Sequence, residues 1–196
     1  MSILLAMCFF SLSMSISPGP VNMMILTSGV TYGFKRSLIL VTGATVGFAF
    51  LLSAVGLGIS GFLAQAPVFY EVLRYAGTGY MIYMGYQIMI SRPEIEVKDE
   101  QLPRYRHGFL MQWLNPKAWI ACLSGVTSFG LNDSLSLLII FVSIYFFICY
   151  LSLAAWALLG SKLQFLTKVK NGMRVFNLVM GGSLIIVAVY LLFSHF

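Results

Sequence analysis

Charge is scarce in this chain, and acid is scarcer than base. Only 9% of the 196 residues are charged, with six Asp or Glu against twelve Lys or Arg. Soluble domains carry about a quarter charged residues, so this composition, with a mean hydropathy of +0.90, excludes a water-soluble globule. No charge occurs from Met1 to Phe34 or from Ser37 to Tyr70. The carboxylates avoid mid-run positions: Glu71 and Asp133 flank apolar runs, while Glu94, Glu96, Asp99 and Glu100 share one polar stretch. His107 and His195 also sit at the ends of their runs. Hard cations want several oxygen ligands, and transition metals want imidazole, thiolate or carboxylate. No metal site, no cofactor and no divalent-metal cargo are therefore expected.

Cysteine is nearly absent as well. Cys8, Cys122 and Cys149 are isolated within apolar runs and form no C-x-x-C, which argues against a disulfide framework or a thiol-redox motif. They read as small packing residues. There is no G-x-x-x-x-G-K-[ST], H-E-x-x-H or G-x-S-x-G, so an ATP-driven pump or an intramembrane hydrolase lacks its usual equipment and no enzyme is expected. No basic region precedes the first apolar run, which reads as a span rather than a cleaved signal.

What is present is a series of apolar runs long enough to cross a bilayer. Spans are expected at about 3–32, 37–64, 70–90, 108–131, 134–159 and 174–194. The longest polar stretch, Ser91 to His107, is too short for a domain, so 1–196 reads as a single membrane domain. Basic residues cluster after the first span (Lys35, Arg36), the third (Arg92, Lys98, Arg104, Arg106) and the fifth (Lys162, Lys168, Lys170, Arg174). This alternation predicts three cytoplasmic loops with both termini outside. The same placement at span ends, without an aromatic-interleaved basic stripe, argues against nucleic acid as a partner and for the lipid bilayer.

Two proline-containing breaks interrupt the runs about a hundred residues apart, Ser17-Pro18-Gly19-Pro20 and Asn115-Pro116-Lys117. Proline lacks the amide hydrogen and collides with the preceding turn. In hydrocarbon the freed backbone groups are tolerated only where protein or a polar cavity surrounds them. Three spans precede the 91–107 loop and three follow it, so the second half enters the membrane from the opposite side. The expected fold is an all-α membrane protein of six transmembrane helices in two inverted three-helix repeats, about 1–90 and 108–196, with helices 1 and 4 broken at the proline motifs. Paired broken helices in matching positions point to a transporter's substrate site.

Lys117 is the clear mid-span charge, and a lysine at the bilayer centre costs about 2.5 kcal/mol or more. It reads as an ammonium capping carbonyls freed by Pro116, as a substrate or gating contact, or as both. Asn22 lies in the first turn after Pro20 and is the other polar side chain favoured as a ligand. Thr27, Thr42, Thr45, Tyr80, Tyr83 and Gln87 read first as interhelical hydrogen-bonders or interface anchors. Trp113, Trp119 and Trp156 read as packing or interfacial residues. Most of the 18 glycines read as helix-packing sites. Gly43 and Gly47 form a G-x-x-x-G that would also suit a homodimer.

Ser17-Pro18-Gly19-Pro20-Val21-Asn22, followed by Tyr32-Gly33-Phe34-Lys35 and a glycine-bearing second span, resembles the opening of the LysE/RhtB family of amino-acid exporters. Ala76-Gly77-Thr78-Gly79-Tyr80 with Tyr83-Met84-Gly85 looks like that family's third span, and Phe109 to Ala118 like its fourth. The resemblance covers essentially the whole chain. It implies secondary export of a small amino acid or close derivative from the bacterial cytoplasm across the inner membrane. An ion gradient, proton being the expected ion, would drive it. Within the family the wording is most similar to the branch exporting cysteine and O-acetylserine. The family's motif residues carry over as Pro18, Gly19, Pro20, Asn22, Asn115, Pro116 and Lys117.

With Ser17 added, these residues form the expected substrate site. Free amides of Asn22 and Met23 would take the carboxylate. Carbonyls around Met14–Ser15 and Gln112–Trp113 would take the ammonium. Lys117 would supplement the carboxylate contact or seal the empty site. Proton coupling would fall to Glu71, Asp133 or Lys117. The rival readings are a channel or carrier for another small polar metabolite, and a membrane redox or assembly protein built on paired cysteines.

Overall fold

The computed structural model describes residues 3–59, 104–169 and 171–193, together with positions 75, 78–79, 82–83, 85–86 and 89–90. Most of the expected third span, Glu71 and the 91–103 stretch lie outside the described residues. All regular structure among the described residues is helical.

The first run is a bent pair, α1 (Ile3–Ile16) and α2 (Pro20–Tyr32), whose axes differ by 59°. Pro20 is the first residue of α2, where its missing amide deprives the helix of no bond. α2 ends on Gly33, whose φ of 81° and ψ of 170° lie in a region essentially reserved for glycine. That turn lets α3 (Phe34–Ala54) start at once and fold back, and a 2.8 Å contact between the Ser28 and Ser37 hydroxyls ties the hairpin. Gly33→Ala should cost about 1–3 kcal/mol of backbone strain. The expected result is a lower thermal unfolding midpoint in detergent than for Gly182→Ala, where an added Cβ meets open space.

α3 runs into a π-helical turn, Val55–Ile59, and the whole of Phe34–Gly58 is long and apolar enough to cross a bilayer. A second broken pair follows: α4 (Tyr105–Trp113), then α5 (Pro116–Ser128). A short turn, Leu131–Asp133, leads to α6 (Leu135–Lys162), whose Leu137 amide donates to the Ser134 hydroxyl. Leu135–Leu166 is the other helical stretch long enough to span. α7 covers Gly172–Phe193. The fourth span thus starts three residues earlier than expected and the fifth runs three residues longer. Apolar side chains such as Phe147 and Leu151 on α6 and Ile186 on α7 point outward, more than 60% exposed. An apolar outer surface is what a lipid-facing helix requires.

Glycines set the helix crossings. A Cβ on Gly43 or Gly47 would strike the carbonyl oxygens of Tyr105 or Phe109, and one on Gly108 would strike that of Leu40, so α3 and α4 run side by side in backbone contact. Gly29 and Gly160 make the same close approach between α2 and α6, against the Ala157 and Leu26 carbonyls. The Gly43/Gly47 pair is therefore occupied within the chain, and a homodimer would need another surface. Gly85 and Gly181 bring the third run against α7 in the same manner.

The Gly33 turn lies beside Gln164 at the exit of α6, and Gly172 packs on Leu166. Lys35, Arg36, Arg104, Arg106, Lys162 and Arg174 consequently gather at one end of the bundle. Toward the other end a layer of rings closes the interior. Phe10, Phe129 and Phe141 meet one another with centroids 5.2–6.1 Å apart, and Phe141 meets Tyr145 edge-on at 5.6 Å. Gly125 leaves the space that Phe141 fills.

Candidate functional site at the paired breaks

Buried backbone groups need partners, and a broken span exposes several at once. At the first break every carbonyl from Ser13 to Gly19 has one. Ser13 O accepts from the Ser17 amide (3.3 Å), and Met14 O from the Ser17 hydroxyl (3.2 Å). Asn22 Nδ2 donates to Ser15 O (2.9 Å), and Trp156 Nε1 to Ile16 O (3.1 Å). Lys117 Nζ reaches across from α5 to Ser17 O (2.5 Å) and Pro18 O (3.4 Å), while Gly19 O accepts from the Met23 amide (3.0 Å).

The amide side of the same break is different. Pro18 and Pro20 have no N–H, and the amides of Gly19, Val21 and Asn22 make no hydrogen bond among the described residues. The head of α2 is thus a set of unpaired donors at the positive end of a helix dipole, next to an ammonium group.

At the second break, by contrast, the amides are met within the chain. Asn115 Oδ1 accepts from the Lys117 amide (3.1 Å), the Asn115 carbonyl takes the Ala118 amide (3.0 Å), and Asn115 Nδ2 reaches Gln112 Oε1 (3.4 Å). Trp119 Nε1 donates to Trp113 O (2.8 Å). Pro116 is the first residue of α5, as Pro20 is of α2.

These partners revise several expectations. The carbonyls proposed for a substrate ammonium, Met14–Ser15 and Gln112–Trp113, are all engaged within the chain. The Met23 amide is also engaged, and the free donors are its neighbours upstream. Lys117 does cap carbonyls, but those of the opposite break rather than those before Pro116. Trp119 and Trp156 do more than pack, since each indole supplies a donor to a carbonyl freed at a break. A buried indole N–H needs an acceptor, which was the available sequence signal.

The breaks meet around a cavity of about 30 Å³ bounded by α1 to α6, room for about two waters. Asn22, Asn115 and Lys117 line it, with Gln112, Ser15 and Tyr145. Ser17, Pro18, Gly19, Pro20 and Pro116 form the break backbone beside it. Gly19 is required by proximity: a Cβ there would lie 3.0 Å from Lys117 Cδ. All eight expected residues are thus brought together. The three cysteines are free thiols, with Cys149 at the cavity, Cys122 fully buried nearby and Cys8 partly exposed. Among the described residues no three His, Cys, Asp or Glu side chains group together as a metal would need.

The profile of the LysE type translocator family matches residues 12–195. A protein of Vibrio cholerae serotype O1 (strain ATCC 39315 / El Tor Inaba N16961), described as an uncharacterized membrane protein, is 25% identical over 109 residues, 53% of each chain. A leucine efflux protein of Enterobacter sp. (strain 638) is 28% identical over 74 residues, 38% of this chain and 35% of its own. The chain spans about half the length of the first relative and about a third of the second. No solved structure matches it. With nearly its whole length matched by the family profile and two proline-broken helices crossing at a polar cavity, the chain belongs to the LysE type translocator family, a family of transporters and not of enzymes.

Proposed function

We propose that this chain is a secondary-active exporter of small amino acids or close derivatives, working by alternating access in the bacterial cytoplasmic membrane. The observation that carries the reading is the imbalance at the first break: its carbonyls are satisfied and its amides are free. A carboxylate suits that surface, taking hydrogen bonds from the Val21 and Asn22 amides and charge from Lys117. Side-chain oxygens of Asn22 and Gln112, both at the cavity, suit the ammonium of a zwitterion. The family relation and the leucine efflux relative support an amino-acid cargo.

The two halves, about 1–90 and 108–196, act as inverted three-helix repeats that rock about the cavity. The end bearing the six gathered basic residues faces the cytoplasm, which leaves both termini outside. With a proton as the coupling ion, Lys117 is the titratable cation in the cavity. Counterflow in liposomes, with labelled neutral amino acids and with or without a pH gradient, tests the reading. Exchange should be specific and saturable, and Asn22→Ala should abolish it while the amount of protein in the membrane stays unchanged. Unselective, non-exchanging flux would make the protein a pore. Normal exchange by Asn22→Ala would move the site elsewhere.

A further inference from the structure

On the α4–α5 side of the cavity one side chain fixes the direction of another. Asn115 Oδ1 accepts from the Lys117 backbone amide (3.1 Å). A backbone N–H only donates, so the end of the Asn115 side chain that meets it is the oxygen and the opposite end is the NH2. That NH2 faces Gln112 at 3.4 Å and needs an acceptor, which makes the Gln112 atom there Oε1 and puts Nε2 at the other end. A main-chain amide thus orients two side-chain amides in series, and flipping either would set donor against donor. The Asn115 backbone amide also donates to the Gln112 carbonyl (3.2 Å), which holds the last turn of α4 against the break.

Gln112 is 4% exposed and lines the cavity, and its Nε2 makes no hydrogen bond among the described residues. Buried polar groups are met by a partner in the great majority of cases, and the cavity is where a partner for this one fits. Asn115 is in the opposite position, since its Oδ1, Nδ2 and carbonyl are all engaged within the chain. Asn22 of α2 spends its Nδ2 on Ser15 O, which leaves Oδ1 as its own unspent end. The two cavity amides therefore offer opposite polarity, an oxygen from the first half and an NH2 from the second.

We infer that Gln112 is a substrate-contacting residue whose Nε2 donates to the carboxylate, and that Asn115 is the positioning residue that presents it. The inference rests on the amino-acid exporter reading and assigns what the second half adds to that site. With the Val21 and Asn22 amides on α2, the carboxylate is held from both halves of the molecule. Gln112 Oε1 keeps one lone pair for the ammonium.

The test is counterflow of labelled L-serine, L-alanine and L-leucine in proteoliposomes, measured against substrate concentration. Gln112→Met keeps the length and burial of the side chain without its donors. Asn115→Ser keeps a capping oxygen for the Lys117 amide but is too short to reach Gln112. Each should raise the half-saturating concentration of every amino acid that the wild type exchanges by about tenfold or more, the loss of one hydrogen bond to a charged group. The double variant should be no weaker than Gln112→Met, because Asn115 acts through Gln112. Gln112→Glu keeps the shape and the acceptor for Asn115 but sets an oxygen against the carboxylate, so it should be weaker still. Unchanged half-saturation in Gln112→Met and Gln112→Glu overturns the contact and leaves the exporter reading standing. An Asn115→Ser effect of the same size with and without Gln112 overturns the positioning role alone. No exchange of any of the three amino acids by wild-type protein incorporated in the liposomes overturns both readings.

Discussion

Lys117→Ala is expected to eliminate counterflow, with apparent affinity for a carboxylate-bearing substrate falling about a hundredfold. Removing the charged partner of a buried, hydrogen-bonded group costs about 2–5 kcal/mol. The protein itself should tolerate the change. Two carbonyls, Ser17 and Pro18, lose their donor, and hydrogen bonds to charged groups contribute about 1.5–3 kcal/mol each. Against this, the variant no longer holds an ammonium out of water, a relief of several kcal/mol. The two effects offset each other, so membrane abundance should match wild type. Lys117→Met separates charge from packing, because it keeps a flexible stem over Gly19 where Lys117 Cδ now lies. It should be as inactive as alanine and more heat-stable in detergent. Exchange near the wild-type rate by either variant would place the substrate away from the paired breaks.

Gly108→Leu and Gly160→Leu are expected to prevent accumulation of folded protein altogether. At both positions the obstruction to a Cβ is backbone, the Leu40 and Leu26 carbonyls respectively, and backbone in a packed helix cannot swing aside. Overpacking a core costs about 1–3 kcal/mol even when side chains yield. Here two helices must separate along their length, which also removes the close contacts that hold membrane helices together. The measurement is the monodisperse peak on size-exclusion chromatography after mild solubilisation, which both variants should lack. Gly182→Leu is the control, since nothing lies within 4 Å of a Cβ there. A normal peak for Gly108→Leu or Gly160→Leu would mean that these crossings are looser than described.

The breaks were legible in the sequence because proline states its own backbone consequence: Pro18, Pro20 and Pro116 each fall where a helix stops or restarts. The family was legible from the same motifs. The convergence of the breaks on one cavity was expected from their matching depth, and Lys117 was expected to face a polar interior. The partners of the freed carbonyls were not legible. Trp156 reaches Ile16, 140 residues away, and Lys117 reaches Ser17, 100 residues away. No local pattern encodes which donor crosses to which acceptor.

The asymmetry between the breaks was missed for a related reason. Asn115 precedes Pro116 as Gly19 precedes Pro20, and Asn at that position caps a helix start whereas Gly supplies no side chain.

The ring layer described between the cavity and the far end sets how the two exits differ. Near the basic cluster, main chain touches main chain at Gly29, Gly43, Gly108 and Gly160, so any widening there moves whole helices as rigid rods. On the opposite side the contacts among the described residues are between rings, and each aromatic pair contributes about 0.5–1.5 kcal/mol beyond its buried area. The two ends of the bundle therefore yield to strain differently, by displacement of paired helices near the basic cluster and by side-chain adjustment at the ring layer.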